Sequence, residues 1–104
     1  MGDHQALLKD REVLDRDGVR IGKVSDVLFD ESSELSPSWL VVNPGAFRAE
    51  HFVPADGAVT TDEQTLRVPY DIDTVRSSPK APSDHVVPSA AKVVLRDHYH
   101  LPNR

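Results

Sequence analysis

Between about Glu12 and Val68 the apolar residues fall in short runs broken by turn residues, which predicts strands rather than helices. Glu12-Val13-Leu14 leads into Asp15-Arg16-Asp17-Gly18. Acidic side chains favour a turn there and Gly18 tolerates a positive φ, so a hairpin is expected. The next strand, Arg20 to Asp30, carries Ile21, Val24, Val27 and Phe29 at spacings of three, three and two. That breaks strict alternation, and bulges near Gly22 and Asp26 are expected to restore a common inward face. Trp39-Leu40-Val41-Val42 is apolar throughout, which predicts a central strand covered on both faces. Asn43-Pro44-Gly45 turns the chain, and Glu50 to Pro54 returns with Phe52 and Val53. Ala58 to Thr61 and Thr65 to Val68 flank Asp62-Glu63-Gln64 as a last hairpin.

After Tyr70 the period changes. Asp71 to Val75 reads as one or two helical turns, stopped at Ser77-Ser78-Pro79. Lys80 to Pro88, with Pro82 and Pro88 among small polar residues, reads as an extended linker. Ser89 is the expected N-cap of a helix reaching Tyr99, with Ala91, Val94, Leu95 and His98 or Tyr99 on one stripe. The domain reading is a β domain over residues 1–79, a linker over 80–88, and a helix and tail over 89–104. The helix is expected to pack on that domain or on a second subunit.

At 104 residues the chain fits one domain. The longest apolar run, Trp39 to Val42, is far short of the ~20 residues that cross a bilayer. The N-terminal Met1-Gly2-Asp3-His4-Gln5 shows no secretory pattern, so a cytoplasmic location is expected. There is no cysteine, which excludes disulfides and thiolate chemistry. With 12 basic and 17 acidic residues the net charge is −5, which argues against a nucleic-acid partner.

The string Asp15-Arg16-Asp17-Gly18-Val19-Arg20-Ile21-Gly22-Lys23-Val24 and its continuation to Asp30 resemble the first hairpin of PRC-barrel domains. Trp39 to Val42, Phe52-Val53-Pro54 and Thr65 to Tyr70 are similar to the later strands of that family in order and spacing. The resemblance covers about residues 7 to 79, and the tail looks like short stand-alone actinobacterial members. It implies a mainly β fold: a small, strongly bent six-stranded barrel, a short helix after the last strand and a C-terminal helix. The family includes the cytoplasmic domain of the photosynthetic reaction centre H subunit and the C-terminal domain of the ribosome-maturation factor RimM. The membrane helix of the former and the N-terminal domain of the latter have no counterpart here, so neither role transfers, and the resemblance supplies no catalytic residue set.

The residues themselves point the same way. Asp15-Arg16-Asp17-Gly18 lacks the further oxygen ligands of a calcium loop and reads as a turn. His4, His51, His85, His98 and His100 have no chelating spacing, and His98 and His100 read as a solvent-facing helix end. Ser25, Ser32, Ser33, Ser36 and Ser38 lack a nucleophile elbow. Asp26 is an acidic residue amid Val24, Val27, Leu28 and Phe29. It reads as a structural carboxylate bracing the bend, with Lys23, Arg20 or backbone amides as partners.

The expected function is therefore a non-catalytic cytoplasmic interaction or adaptor module without cofactor, self-associating as a homodimer. Its candidate interaction surface comprises Phe47, Trp39, Val94, Leu95 and Tyr99, with Trp39 also placed in the core as the head of the most apolar strand. The alternative is a small-ligand or metal-binding barrel using its mouth and nearby His51 or the C-terminal histidines His98 and His100, and a reaction-centre-like electron-transfer accessory role stands below it.

Overall fold

The computed structural model describes residues 9–29, 38–45, 49–55, 57–61, 64–82 and 84–101. The apolar runs become six strands: β1 (Glu12–Leu14), β2 (Arg20–Leu28), β3 (Trp39–Asn43), β4 (His51–Pro54), β5 (Val59–Thr60) and β6 (Thr65–Arg67). Two helices follow, α1 (Ile72–Arg76) and α2 (Ser89–His98). The sheet order is β4-β3-β2-β1-β6-β5. All pairings are antiparallel except that of β1 with β6. The barrel expected from the resemblance is thus a six-stranded sheet, and among the described residues no ladder joins its ends, β4 and β5.

Broken alternation in β2 has the expected cause. Its register against β1 shifts between Val13 and Leu14, opposite Gly22 and Arg20, and its register against β3 shifts between Val24 and Asp26. Each shift bends the strand and turns Ile21, Val24 and Val27 to the inside, where all three are buried. β3 is buried from Trp39 to Val42 as its composition requires, but it lies second from the edge. The centre belongs to β2 and β1, because β6 adds to β1 in parallel instead of extending the meander beyond β4.

The first turn forms around Gly18 at φ +85°, and Asp71 caps α1 by accepting from the Thr74 amide at 2.8 Å. For α2 the cap is Pro88 rather than Ser89. The extended Pro88 places its carbonyl to accept from Ala91 and Lys92, at 2.9 and 3.1 Å. The segment read as a linker lies on the sheet: Lys80 bridges to His51, and the Ala81 amide donates to the Glu50 carbonyl at 2.8 Å, covering the outer edge of β4. α2 packs on the same domain through Leu95 and through Tyr99, whose hydroxyl donates to the Phe52 carbonyl at 2.7 Å. The core joins Val13, Leu40, Phe52, Leu66, Val75 and Leu95.

Gly22 marks the closest backbone approach. A Cβ there would stand 2.3 Å from the Asn43 carbonyl oxygen and 2.8 Å from Pro44 Cα, both backbone atoms that cannot move alone. Gly22→Ala is expected to destabilise the fold by about 1–3 kcal/mol or more, read as the midpoint of denaturant unfolding. An unchanged midpoint would show that β2 and β3 do not cross so closely.

Candidate functional site

Polar side chains gather at three places, and each bonds its own surroundings. Asp15, 1% exposed, follows β1 and is ringed by amides. Its Oδ1 accepts from Asp17 and Val19, both at 2.8 Å, and its Oδ2 accepts from Ile72 at 3.0 Å. Burial alone would raise its pKa, but the three amides outweigh burial and hold it below the usual value. One carboxylate so joins the first hairpin to the start of α1.

The second group centres on His85. Its Nδ1 lies 3.0 Å from Asp26 Oδ2, its Nε2 lies 2.7 Å from Glu50 Oε1, and its backbone is left-handed at φ +57°. Ser25 donates to the other Glu50 oxygen at 2.6 Å. Both ring nitrogens face carboxylates, so both donate and the ring carries a charge. The bond to Glu50, joined by the bond to Asp26 and both negative charges, raises the His85 pKa against the opposing effect of burial. Burial would raise that of Glu50, but the Ser25 bond and the His85 bond and charge lower it. Asp26 also accepts from the Val27 amide at 2.9 Å, so the backbone-amide partner expected at the bulge is present. Arg20 instead pairs with Glu12 at 2.8 Å, and the histidine was not foreseen.

The third group surrounds α1. Ser78 donates to the Val75 carbonyl at 2.6 Å, so the 3.0 Å contact of its Oγ with His51 is a bond donated by His51 Nδ1. Burial first, then Lys80 and His98 nearby, push the His51 pKa down. His98 is half-buried rather than a frayed, solvent-facing end, because its Nε2 donates to the Thr74 carbonyl at 2.7 Å. Tyr99 is buried against Tyr70, with ring centroids 4.9 Å apart, and burial pushes its pKa up to about 12.

Beside this third group lies a groove of about 290 Å³ lined by Ile21, Val42, Pro44, Ala49, His51, Val75, Arg76 and Lys80. Its walls are mostly apolar. Among the described residues, the side chains of Arg76 and Lys80 form no ion pair or hydrogen bond.

These arrangements constrain the chemistry. Ser25 is bonded to Glu50 and to the Val41 carbonyl, without contact to a histidine that could deprotonate it. The carboxylates flank His85 on opposite ring nitrogens, and no group of three His, Asp or Glu among the described residues could hold a metal ion. Of the expected interaction residues, Trp39, Leu95 and Tyr99 are interior, where the core claims their apolar surface, and Phe47 lies outside the described residues. Val94 is 54% exposed. The stripe facing the sheet runs Ala91, Leu95, His98 and Tyr99, which leaves Val94 outside it.

A family model for the PRC-barrel domain matches residues 4–78. The chain belongs to the PRC-barrel domain family. Among solved structures, this PRC-barrel chain is similar to one titled as a 16S ribosomal RNA processing protein RimM of Pseudomonas aeruginosa. The TM-score is 0.53 at 21% identity, over 67% of this chain and 44% of that one. At that identity the likeness concerns the fold, and the chain spans less than half the length of that RimM. Comparison with curated proteins finds no match. The PRC-barrel match ends at Ser78, so His85 and α2 lie beyond it.

The clamp around His85 makes stability depend on pH in a defined direction. With its pKa raised above the ordinary 6.5, His85 contributes fully below that value and loses the contribution as pH climbs through the raised one. With its pKa lowered from 4.5, Glu50 contributes fully above that value and loses it as pH falls through the lowered one. The clamp is strongest between these ordinary values. Replacement by Asn tolerates the left-handed backbone, so the stability gap between wild type and His85→Asn is expected to be larger at pH 5.5 than at pH 9. Equal gaps in urea unfolding at both pH values would contradict the charged clamp.

Proposed function

We propose that this PRC-barrel domain is a non-catalytic cytoplasmic module that binds another protein. The observation that carries the reading is the contrast between the engaged polar groups and the groove. Asp15, Asp26, Glu50, His51 and His85 all serve internal bonds, whereas the groove has an apolar floor and two cations without a described partner. A catalytic centre needs a nucleophile or base turned toward a substrate; Asp26, Glu50 and His85 are turned toward one another, Asp15 toward backbone amides, and His51, on the groove wall, has its Nδ1 bonded to Ser78. The groove is also at the small end for pockets that enclose a whole small molecule, roughly 300–1,000 Å³, which favours side chains of a partner over a free ligand.

Self-association is the companion reading. It is motivated by Val86, Val93 and Val94, all more than half exposed on or just before α2, and by Val59 on the short edge strand β5. Light scattering that finds only the 11.5 kDa species at high concentration removes it. The module reading is tested by placing a photo-cross-linking amino acid at exposed Pro79 or Val94 in the native cell. Discrete adducts with a defined protein are expected, and an adduct with a second copy identifies the dimer. No adduct above that of a linker placed at exposed Asp73 would sink the module reading.

A further inference from the structure

The groove beside α1 combines three features with one chemical meaning. Ile21, Val42 and Val75 give it an apolar floor, supplied by β2, β3 and α1. Arg76, in the last turn of α1, and Lys80, four residues on, place two positive charges along it in a chain whose net charge is −5. His51 sits between these elements with its Nδ1 proton committed to Ser78, and Lys80 and His98 disfavour a further charge on it. The outer edge of β4 is engaged by Lys80 at His51 and by the Tyr99 hydroxyl at the Phe52 carbonyl, which disfavours addition of a strand there and favours entry by side chains.

We propose that this groove takes an acidic-apolar peptide segment of a partner protein, with one or two apolar side chains on the floor and a carboxylate between Arg76 and Lys80. The inference rests on the module reading and names the partner's chemistry. About 290 Å³ accommodates side chains of that number, and the charge match is local, against the sign of the whole chain. Affinity therefore falls as added salt shortens the screening length below its value of about 8 Å at physiological strength.

The experiment is selection of a random peptide library on phage against the full chain, followed by fluorescence anisotropy of the enriched peptides. Enrichment of apolar residues next to Asp or Glu is expected. The best peptide is expected to bind about tenfold more weakly when its acid is changed to the amide, and by a similar factor to Arg76→Glu/Lys80→Glu. Ala49→Phe, which fills the groove from its wall, is expected to weaken it as well. Melting curves that match wild type show the variants are folded.

No enriched peptide, enrichment without acidic residues, or binding indifferent to the charge reversal overturns the proposal. So does saturable dodecanoate binding in the groove without peptide enrichment, which makes the occupant a small amphiphile. If enriched peptides ignore the groove while cross-linked partners are still recovered, this inference falls and the module reading stands. Lack of cross-linked partners sinks the module reading, and with it the protein partner named here, even where peptides bind the groove.

Discussion

A single buried carboxylate ties the first hairpin to the helix that follows the last strand. Asp15 closes the turn between β1 and β2 with one oxygen and receives the first amide of α1 with the other, across 57 residues of sequence. An acid with so little exposure is tolerable because three amides satisfy it, and a buried acceptor left without them would cost several kcal/mol. The parallel pairing of β1 with β6 brings Tyr70 to the same turn, where its carbonyl accepts from Arg16 at 3.1 Å. With α1 held there, Val75 closes the core, Ser78 reaches His51, and Arg76 stands at the groove.

The His85 clamp does for the segment after α1 what Asp15 does for α1 itself. Without it, the described ties of this segment to the sheet would be the Lys80 bridge and the Ala81 amide. With it, the segment is pinned to β2 through Asp26 and to the start of β4 through Glu50, and α2 is delivered to Phe52. Asp15, Asp26, Glu50 and His85 thus act as internal ties. The two groove cations, Arg76 and Lys80, are not among them.

Periodicity carried much of the fold. The spacing of Ile21, Val24, Val27 and Phe29 cannot be met by a regular strand, and that mismatch alone located both bulges of β2. The parallel pairing of β1 with β6 left no trace, because the choice of strand partner across some fifty residues is a matter of tertiary packing. Asp15 was legible as a turn residue but not as a hub, since its third amide comes from Ile72. His85 was hidden by its setting in a Pro-containing stretch, with partners 59 and 35 residues away. The available signal was the other half of the pair: Asp26 sits in an apolar strand and demanded donors, of which the Val27 amide is local and His85 is 59 residues away. Val94 shows the limit of a helical stripe, where residues one apart differ by about 100° and a small rotation decides which one is buried.

Hydrogen exchange on Asp15→Asn tests most directly whether this carboxylate positions α1 and the groove. Asparagine keeps one oxygen for the turn amides but turns an amide donor toward the Ile72 N–H, so the link to α1 is broken selectively. The expected result is faster exchange from Ile72 through Ser78, with protection in β3 and β4 retained. Unchanged protection across α1 would contradict the claim that Asp15 holds it in place.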